Sequence, residues 1–401
     1  MKKMILFLLF NCLIAQLFGQ HITGNGTVEN PYRLYNASDV DSIRYLGNYK
    51  YYRLANNIDM SSININEISY FSGQLDGNNC TLSNMTVNGN ALFPEMQGSG
   101  TGIKNLYIKH ALVNRTGSTK WVAILGWTSN GTSTSAIFDN IHIDSSTVIV
   151  NSSYNHDFRL QAIMFSFIDD NDSLVNCSVT NSVCSLTVSN QSGNNINIGA
   201  LIGHSVRNTK IYQSYTYNNT LYFKATSGIT QYARLAGFIA VVSGGASVQR
   251  STIKNCFCLK TTYINDGISD IIASGFFDRT DAAVAQLINC YSADNIVIGN
   301  STNSSAFANS NTVNLSTCYA DIETSTFSAV QLTGTGTPAN GKTTVEMKTQ
   351  STYQSWDFEN VWGIRSDFNN GYPYLRSVQT PPTAPVVTKE WLKVYFWRKT
   401  N

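Results

Sequence analysis

The sequence is short of charge. Only 13% of its 401 residues are charged, about half the share usual in soluble proteins. Lys and Arg number 27 against 25 Asp and Glu, and setting Lys2 and Lys3 aside with a cleaved leader leaves the mature chain neutral. A nucleic-acid partner is excluded on that ground, because covering phosphates takes a basic excess. Long apolar runs are also missing: none reaches the roughly 20 residues that cross a bilayer, so no transmembrane segment is expected. The histidines His21, His110, His142, His156 and His204 share no metal-ligand spacing. No nucleophile elbow, phosphate loop or His-Glu metalloprotease motif occurs. The reading therefore assigns no catalytic residue, no metal and no cofactor. What remains is 42% hydrophobic, enough for a core, which excludes wholesale disorder.

Residues 1–20 carry the parts of a secretory signal: Lys2 and Lys3, the apolar Met4-Ile-Leu-Phe-Leu-Leu-Phe10, and small Gly19 near the expected cut. The mature protein is expected outside the cell, secreted or at the cell surface. Beyond the leader stand seven cysteines, Cys80, Cys177, Cys184, Cys256, Cys258, Cys290 and Cys318. An odd number spread over so long a chain is a poor disulfide framework.

Internal repetition gives the cysteines a different role. A small residue followed by two mostly apolar ones recurs at Ala91, Ala123, Ala162, Ala200, Gly237, Gly275 and Ala306. A second block, apolar-x-Asn-apolar-x-apolar, places its Asn at Asn84, Asn105, Asn140, Asn176, Asn255 and Asn289, with Gln213 and Thr317 as exceptions. A looser third block includes Thr147-Val-Ile-Val and Thr220-Leu-Tyr-Phe. Short β-type segments repeating at this scale define a solenoid, read as an all-β parallel β-helix with three strands per coil. The Asn suits a corner, because Asn tolerates left-handed backbone and its amide can bond the Asn one coil away. The residue after each corner and the one two further on read as inward columns, and they hold Cys177, Cys256, Cys258, Cys290 and Cys318 as small buried hydrophobes.

Between the inward columns runs an outward one: Thr86, Tyr107, His142, Ser178, Tyr215, Phe257, Tyr291 and Tyr319. Read as exposed, its rings Tyr107, Tyr215, Phe257, Tyr291 and Tyr319 are the candidate ligand-binding stripe, since exposed rings stack on sugars or a partner's apolar surface. The competing reading has the rings stabilising the sheet by stacking on each other. A one-residue slip would turn them inward. No pair of acids stacks at equivalent repeat positions, and Asp169-Asp-Asn-Asp172 reads as an Asx-rich turn, lacking the Gly and distal Glu of a calcium loop.

The chain resembles secreted bacterial proteins with GLUG repeats, named for Gly-Leu-any-Gly. The resemblance rests on Gly24-Asn-Gly-Thr-Val-Glu-Asn-Pro-Tyr32, Tyr51-Tyr-Arg-Leu-Ala-Asn-Asn-Ile-Asp-Met60 and Phe71-Ser-Gly-Gln-Leu-Asp-Gly77 at the start. At the close it rests on Gly341-Lys-Thr-Thr-Val-Glu-Met-Lys-Thr-Gln350, Trp356-Asp-Phe-Glu-Asn-Val-Trp-Gly-Ile364 and Gly371-Tyr-Pro-Tyr-Leu375. The middle repeats diverge, keeping the second motif glycine at Gly126 and Gly203. The resemblance implies a right-handed parallel β-helix, surface exposure or adhesion, and no catalytic motif.

The expected organisation is a signal peptide at 1–20, an N-terminal capping module at 21–70, β-helix repeats at 71–335, a C-terminal cap at 336–378, and a Pro/Thr linker with a strand-like tail at 379–401. Ser38 to Leu46, followed by Gly47, reads as a short capping helix. Trp356, Trp362 and Tyr374 are expected to cover the other open end of the rod, since bare sheet edges template aggregation. The leading functional expectation is a binding or adhesion protein engaging glycans or another surface through one face. A polysaccharide lyase or hydrolase is the alternative, and a tail-fibre-like structural subunit the third. Ligand and oligomeric state are not legible.

Overall fold

The computed structural model describes residues 22–382, apart from 48, 118–119, 130–134, 153–158, 190–195, 207, 228–232, 244–249, 281–284, 311–312 and 328–339. The leader and the tail from 383 onward lie outside the described residues. The chain winds as a parallel β-helix, each strand pairing in parallel with its counterpart one coil later. Ile103, Phe138, Leu174, Ile211, Ile253, Leu287 and Leu315 follow one another in unbroken register. The windings build parallel sheets of 17, 8, 6 and 5 strands. A coil carries five short strands and not the expected three: Ser173–Val175, Ser178–Thr180, Val183–Val188, Ile196–Gly199 and Ile202–Ser205. The extra strands come from further bends in each coil, described below.

The first bend is the predicted corner. Asn105, Asn140, Asn176, Gln213, Asn255, Asn289 and Thr317 all hold φ between 47° and 57°, left-handed backbone that Asn accepts at low cost. The expected Asn–Asn bond forms at two steps, with Asn140 Nδ2 donating to Asn105 Oδ1 at 3.0 Å and Asn289 Nδ2 to Asn255 Oδ1 at 3.2 Å, whereas Asn176 Nδ2 donates to Asp139 Oδ1 at 3.2 Å. A second left-handed column, not anticipated, runs through His110, Ser145, Asn181, Asn218, Lys260 and Asp294, with φ from 49° to 63°. Asn84 belongs to this second column, because Leu82 and Ser83 pair with Ile108 and Lys109. The leading repeat copy is therefore displaced by one corner, and Thr86 pairs with Leu112, outside the outward column. Gly77, Asn78 and Asn79 stand at the first corner of that coil opposite the single Asn105, two residues longer, and Cys80 pairs with Leu106.

The inward columns point inward. Leu106, Ile141, Cys177, Cys256, Cys290 and Cys318 belong to one continuous core, as do Ile108, Ile143, Val179 and Cys258. All seven described cysteines are free. Their role is more specific than filling space. The thiols of Cys177, Cys256, Cys290 and Cys318 each lie 3.1–3.4 Å from the carbonyl two residues back. Ser214 makes the same bond at 2.9 Å. These carbonyls already accept a backbone N–H from the preceding coil, as Ile288 O does from Asn255 N at 2.9 Å, and the small side chain adds a donor to the second lone pair. Burial pushes the Cys177 thiol up to about 12, keeping it neutral.

At the N-terminal end two short helices, Ala37–Asp41 and Ile43–Leu46, bury Ala37, Val40 and Ile43 against the core. The N-cap is Asn36, just before the expected span: Asn36 Oδ1 accepts from Asp39 N, and Asp39 Oδ2 accepts from Tyr35 N. Asn340–Lys342 pairs with Tyr319–Asp321 as the last rung of the long sheet. No helix among the described residues is long and apolar enough to cross a membrane.

Candidate functional site

The outward column keeps the expected register. Tyr107, His142, Ser178, Tyr215, Phe257, Tyr291 and Tyr319 pair rung by rung. Tyr215, Phe257 and Tyr291 stack face to face, with centroids 4.9 Å apart at both steps. Exposure is where the expectation fails. Phe257 and Tyr291 are wholly buried, and Tyr215 and Tyr319 retain 9% and 5% of their surface. The chain after Lys342 returns along the flank of the rod and covers these rings with Met347, Tyr353, Trp356, Trp362, Tyr372 and Leu375. Trp356 and Trp362 thus roof the column and do not close the end of the rod as expected. Polar contacts fix the roof: Tyr291 Oη donates to Pro373 O at 2.6 Å, and Trp356 Nε1 to Thr317 O at 3.1 Å.

Of the column, Tyr107 and His142 stay half-buried, their rings 4.8 Å apart. His142 Nε2 donates to Asn140 Oδ1 at 2.8 Å, since Asn140 Nδ2 is spent on Asn105. Nδ1 then accepts from Ser178 Oγ at 2.8 Å. Burial lowers the imidazole to about 4, because the charged form loses its hydration.

A second ring system lies where each coil turns from the five-stranded to the six-stranded sheet, at the small-apolar-apolar motif. This turn folds the outward sides of the two strands toward each other and makes a crease along the rod. Its floor must be small. A Cβ on Gly203 would lie 2.8 Å from the carbonyl oxygens of Gln161 and Ser166, and one on Gly126 would lie 1.7 Å from that of Phe93. These are the two retained motif glycines. Ala236, Ala240 and Val241 form an outward apolar cluster of their own, separate from the core.

The crease changes chemistry along its length. At one end Trp121 meets Trp127 edge-on at 5.3 Å and stacks on Phe167 at 5.6 Å, 7° from parallel. All three rings are partly exposed. Phe167 in turn meets His204 edge-on at 5.3 Å. Asn197, in the column of Trp121, Leu160 and Arg234, is buried with Oδ1 unpartnered. At the other end Arg234 Nη1 contacts Asp278 Oδ2 at 2.9 Å, while Ser274 Oγ and Asn309 Nδ2 donate to Asp278 Oδ1 at 3.0 and 3.3 Å. Burial raises the Asp278 pKa and Arg234 opposes that rise. The carboxylate is held by donors on each of these contacts.

The sequence reading missed Trp121, Trp127 and Phe167. A signal was present, since Trp121 and Trp127 flank the Ala123 motif symmetrically, but the motif was read as a repeat marker and not as a bend. Asp169 to Asp172 is the expected turn, with Asp170 N donating to Asp169 Oδ1 at 2.8 Å. Asp172 is an internal acceptor for Thr128 Oγ1 at 2.6 Å and Ala136 N at 2.7 Å.

No protein-family profile matches the sequence. Halomucin of Haloquadratum walsbyi is 32% identical over 120 residues, which span 26% of this chain and 1% of halomucin. Among solved structures, the chain is similar to a proposed immunoglobulin A1 protease from Bacteroides ovatus. That likeness has a TM-score of 0.53 and 16% identity, and covers 89% of this chain and 95% of the other. It shows the shared fold, a parallel β-solenoid. A structure described as IgA1 protease aligns with a TM-score of 0.45 over 25% of its length, at 14% identity.

Proposed function

We propose that this is a secreted or cell-surface, adhesin-like β-helical protein of the GLUG-repeat kind. On this reading it engages glycans or another surface through one exposed face and performs no catalysis. The observation that carries it is the partly exposed run of Trp121, Trp127 and Phe167 along the crease. Rings held by sheet backbone offer apolar faces at little entropic cost, as sugar and surface recognition requires. Asp278 is committed to Arg234, Ser274 and Asn309, which favours binding over glycosidic cleavage, a reaction that uses two available carboxyl groups. Tyr107, the half-buried aromatic of the predicted column, is proposed as a secondary contact. The division into N-terminal module, repeats and C-terminal cap belongs to the same proposal.

Glycan arrays and cell-surface pull-downs with wild type, Trp121→Ala and Trp127→Ala test the reading. Both variants are expected to weaken binding by about 10-fold or more, the loss of one stacking contact with its buried area. Undiminished binding by both removes the crease as the site.

A further inference from the structure

The outer face of the first coils carries a depression that no part of the preceding reading uses. One lobe, of about 310 Å³, is lined by residues including Glu29, Arg33, Tyr51, Arg53, Asp76 and Lys104. A second lobe, of about 240 Å³, reaches Ile137 and Asp139 and shares Gln74 and Lys104 with the first. Its origin is plain in the register. Tyr51, Gln74, Gly102 and Ile137 succeed one another in one outward column. A Cβ on Gly102 would sit 2.5 Å from the Ile137 carbonyl oxygen. The column therefore has a gap at its centre.

The neighbouring column reads Arg33, Arg53, Asp76, Lys104, Asp139 on successive rungs. Arg33 and Arg53 stand side by side, about 4.8 Å apart, a like-charge pair that costs stability when nothing lies between. Arg53 leans away, bonding Asn78 Oδ1 and lying 4.0 Å from Asp76. Among the described residues, neither the Arg33 guanidinium nor the Lys104 ammonium has an ion-pair or hydrogen-bond partner. Three cations against Glu29 and Asp76 leave the larger lobe net positive. Tyr51 supplies a ring beside them, and Gln74 a hydrogen-bonding amide.

We propose that this depression binds an acidic saccharide, its carboxylate or sulfate seated between Arg33 and Arg53 and its ring against Tyr51. The inference rests on the glycan-binding reading and assigns that reading a second subsite and a ligand charge. Arg pairs bidentately with carboxylate and sulfate oxygens, and an anion between Arg33 and Arg53 turns their repulsion into attraction.

Calorimetric titration of the full mature chain with a uronic-acid tetrasaccharide, a sulfated tetrasaccharide and a neutral homologue of equal length tests it. At least one acidic probe should bind and the neutral one much less. Arg33→Gln and Arg53→Gln should each cost about 10-fold in affinity, the loss of one charge-assisted bond. Raising the salt should weaken wild type more than either variant. These positions are exposed, so circular dichroism should show both variants folded. Equal binding of the neutral probe, no binding of either acidic probe, or unchanged affinity in both variants overturns the proposal. Loss in Trp121→Ala with full binding in Arg33→Gln keeps the crease and sinks the depression. The converse keeps the depression and sinks the crease.

Discussion

At the scale of single residues, the corners decide the most. Asn marked the first corner in the sequence because few other residues accept left-handed backbone, and the reading even held for Gln213 and Thr317, which the spacing alone placed there. The second corner stayed hidden because its occupants, His110, Ser145, Asn181, Asn218, Lys260 and Asp294, share no chemistry a sequence search can see. Thr317 is the strained member: a β-branched residue at φ 49°. Thr317→Asn should stabilise the protein by about 1 kcal/mol, read as a raised urea midpoint, since an amide can renew the bond to Asn289. His142 predicts a pH dependence. Its folded value of about 4 lies below the ordinary imidazole value of 6.5, so its contribution is full above about pH 6.5 and is lost as pH falls toward 4. The acid-side loss should be about 3 kcal/mol at most. His142→Gln should flatten urea midpoints measured between pH 7 and 4.5, and an unchanged slope would rule His142 out as the source.

At the scale of elements, the returning C-terminal segment matters most, and it was the least legible. Periodicity showed which way Phe257 and Tyr291 point, but not that residues 82 positions away from Tyr291 would cover it. Pairing between a repeat and a non-repeating segment leaves no spacing to read. Trp362 is fully buried, with its ring 4.4 Å from Trp356 and 6.1 Å from Tyr291. Trp362→Ala should cost about 3–5 kcal/mol and release the roof before the rod melts, seen as early proteolytic cleavage after residue 342. The cysteine column gives a companion expectation. Cys290→Ser should keep the corner contact that Ser214 already makes, at a cost below that of Cys290→Ala, which loses that contact and leaves a small void, while Ile288 O keeps its bond from Asn255 N; urea midpoints of the two variants check the order.

At the scale of the whole molecule, each coil contacts chiefly its neighbours, and stability accumulates coil by coil. Asn218 occupies in its coil the place of Asn181, 37 residues earlier. Deleting residues 181–217 should therefore leave a folded rod, shorter by about 4.8 Å, with β-type circular dichroism and a lowered melting temperature. A collapse to an unfolded chain would show that the coils are not interchangeable in this way. Repetition made this architecture readable from the sequence, and the same repetition concealed the crease, because a motif present in every coil looked like punctuation.

The roof over the aromatic column has a consequence for how the protein is made. Tyr215, Phe257, Tyr291 and Tyr319 are shielded by residues synthesised after all of them. A chain cut off before residue 343 would wind its coils and still display a continuous sticky flank. The bond from Tyr291 to Pro373 ties the last-made segment over rings that would otherwise face solvent, so burial of this flank is the final step in building the molecule.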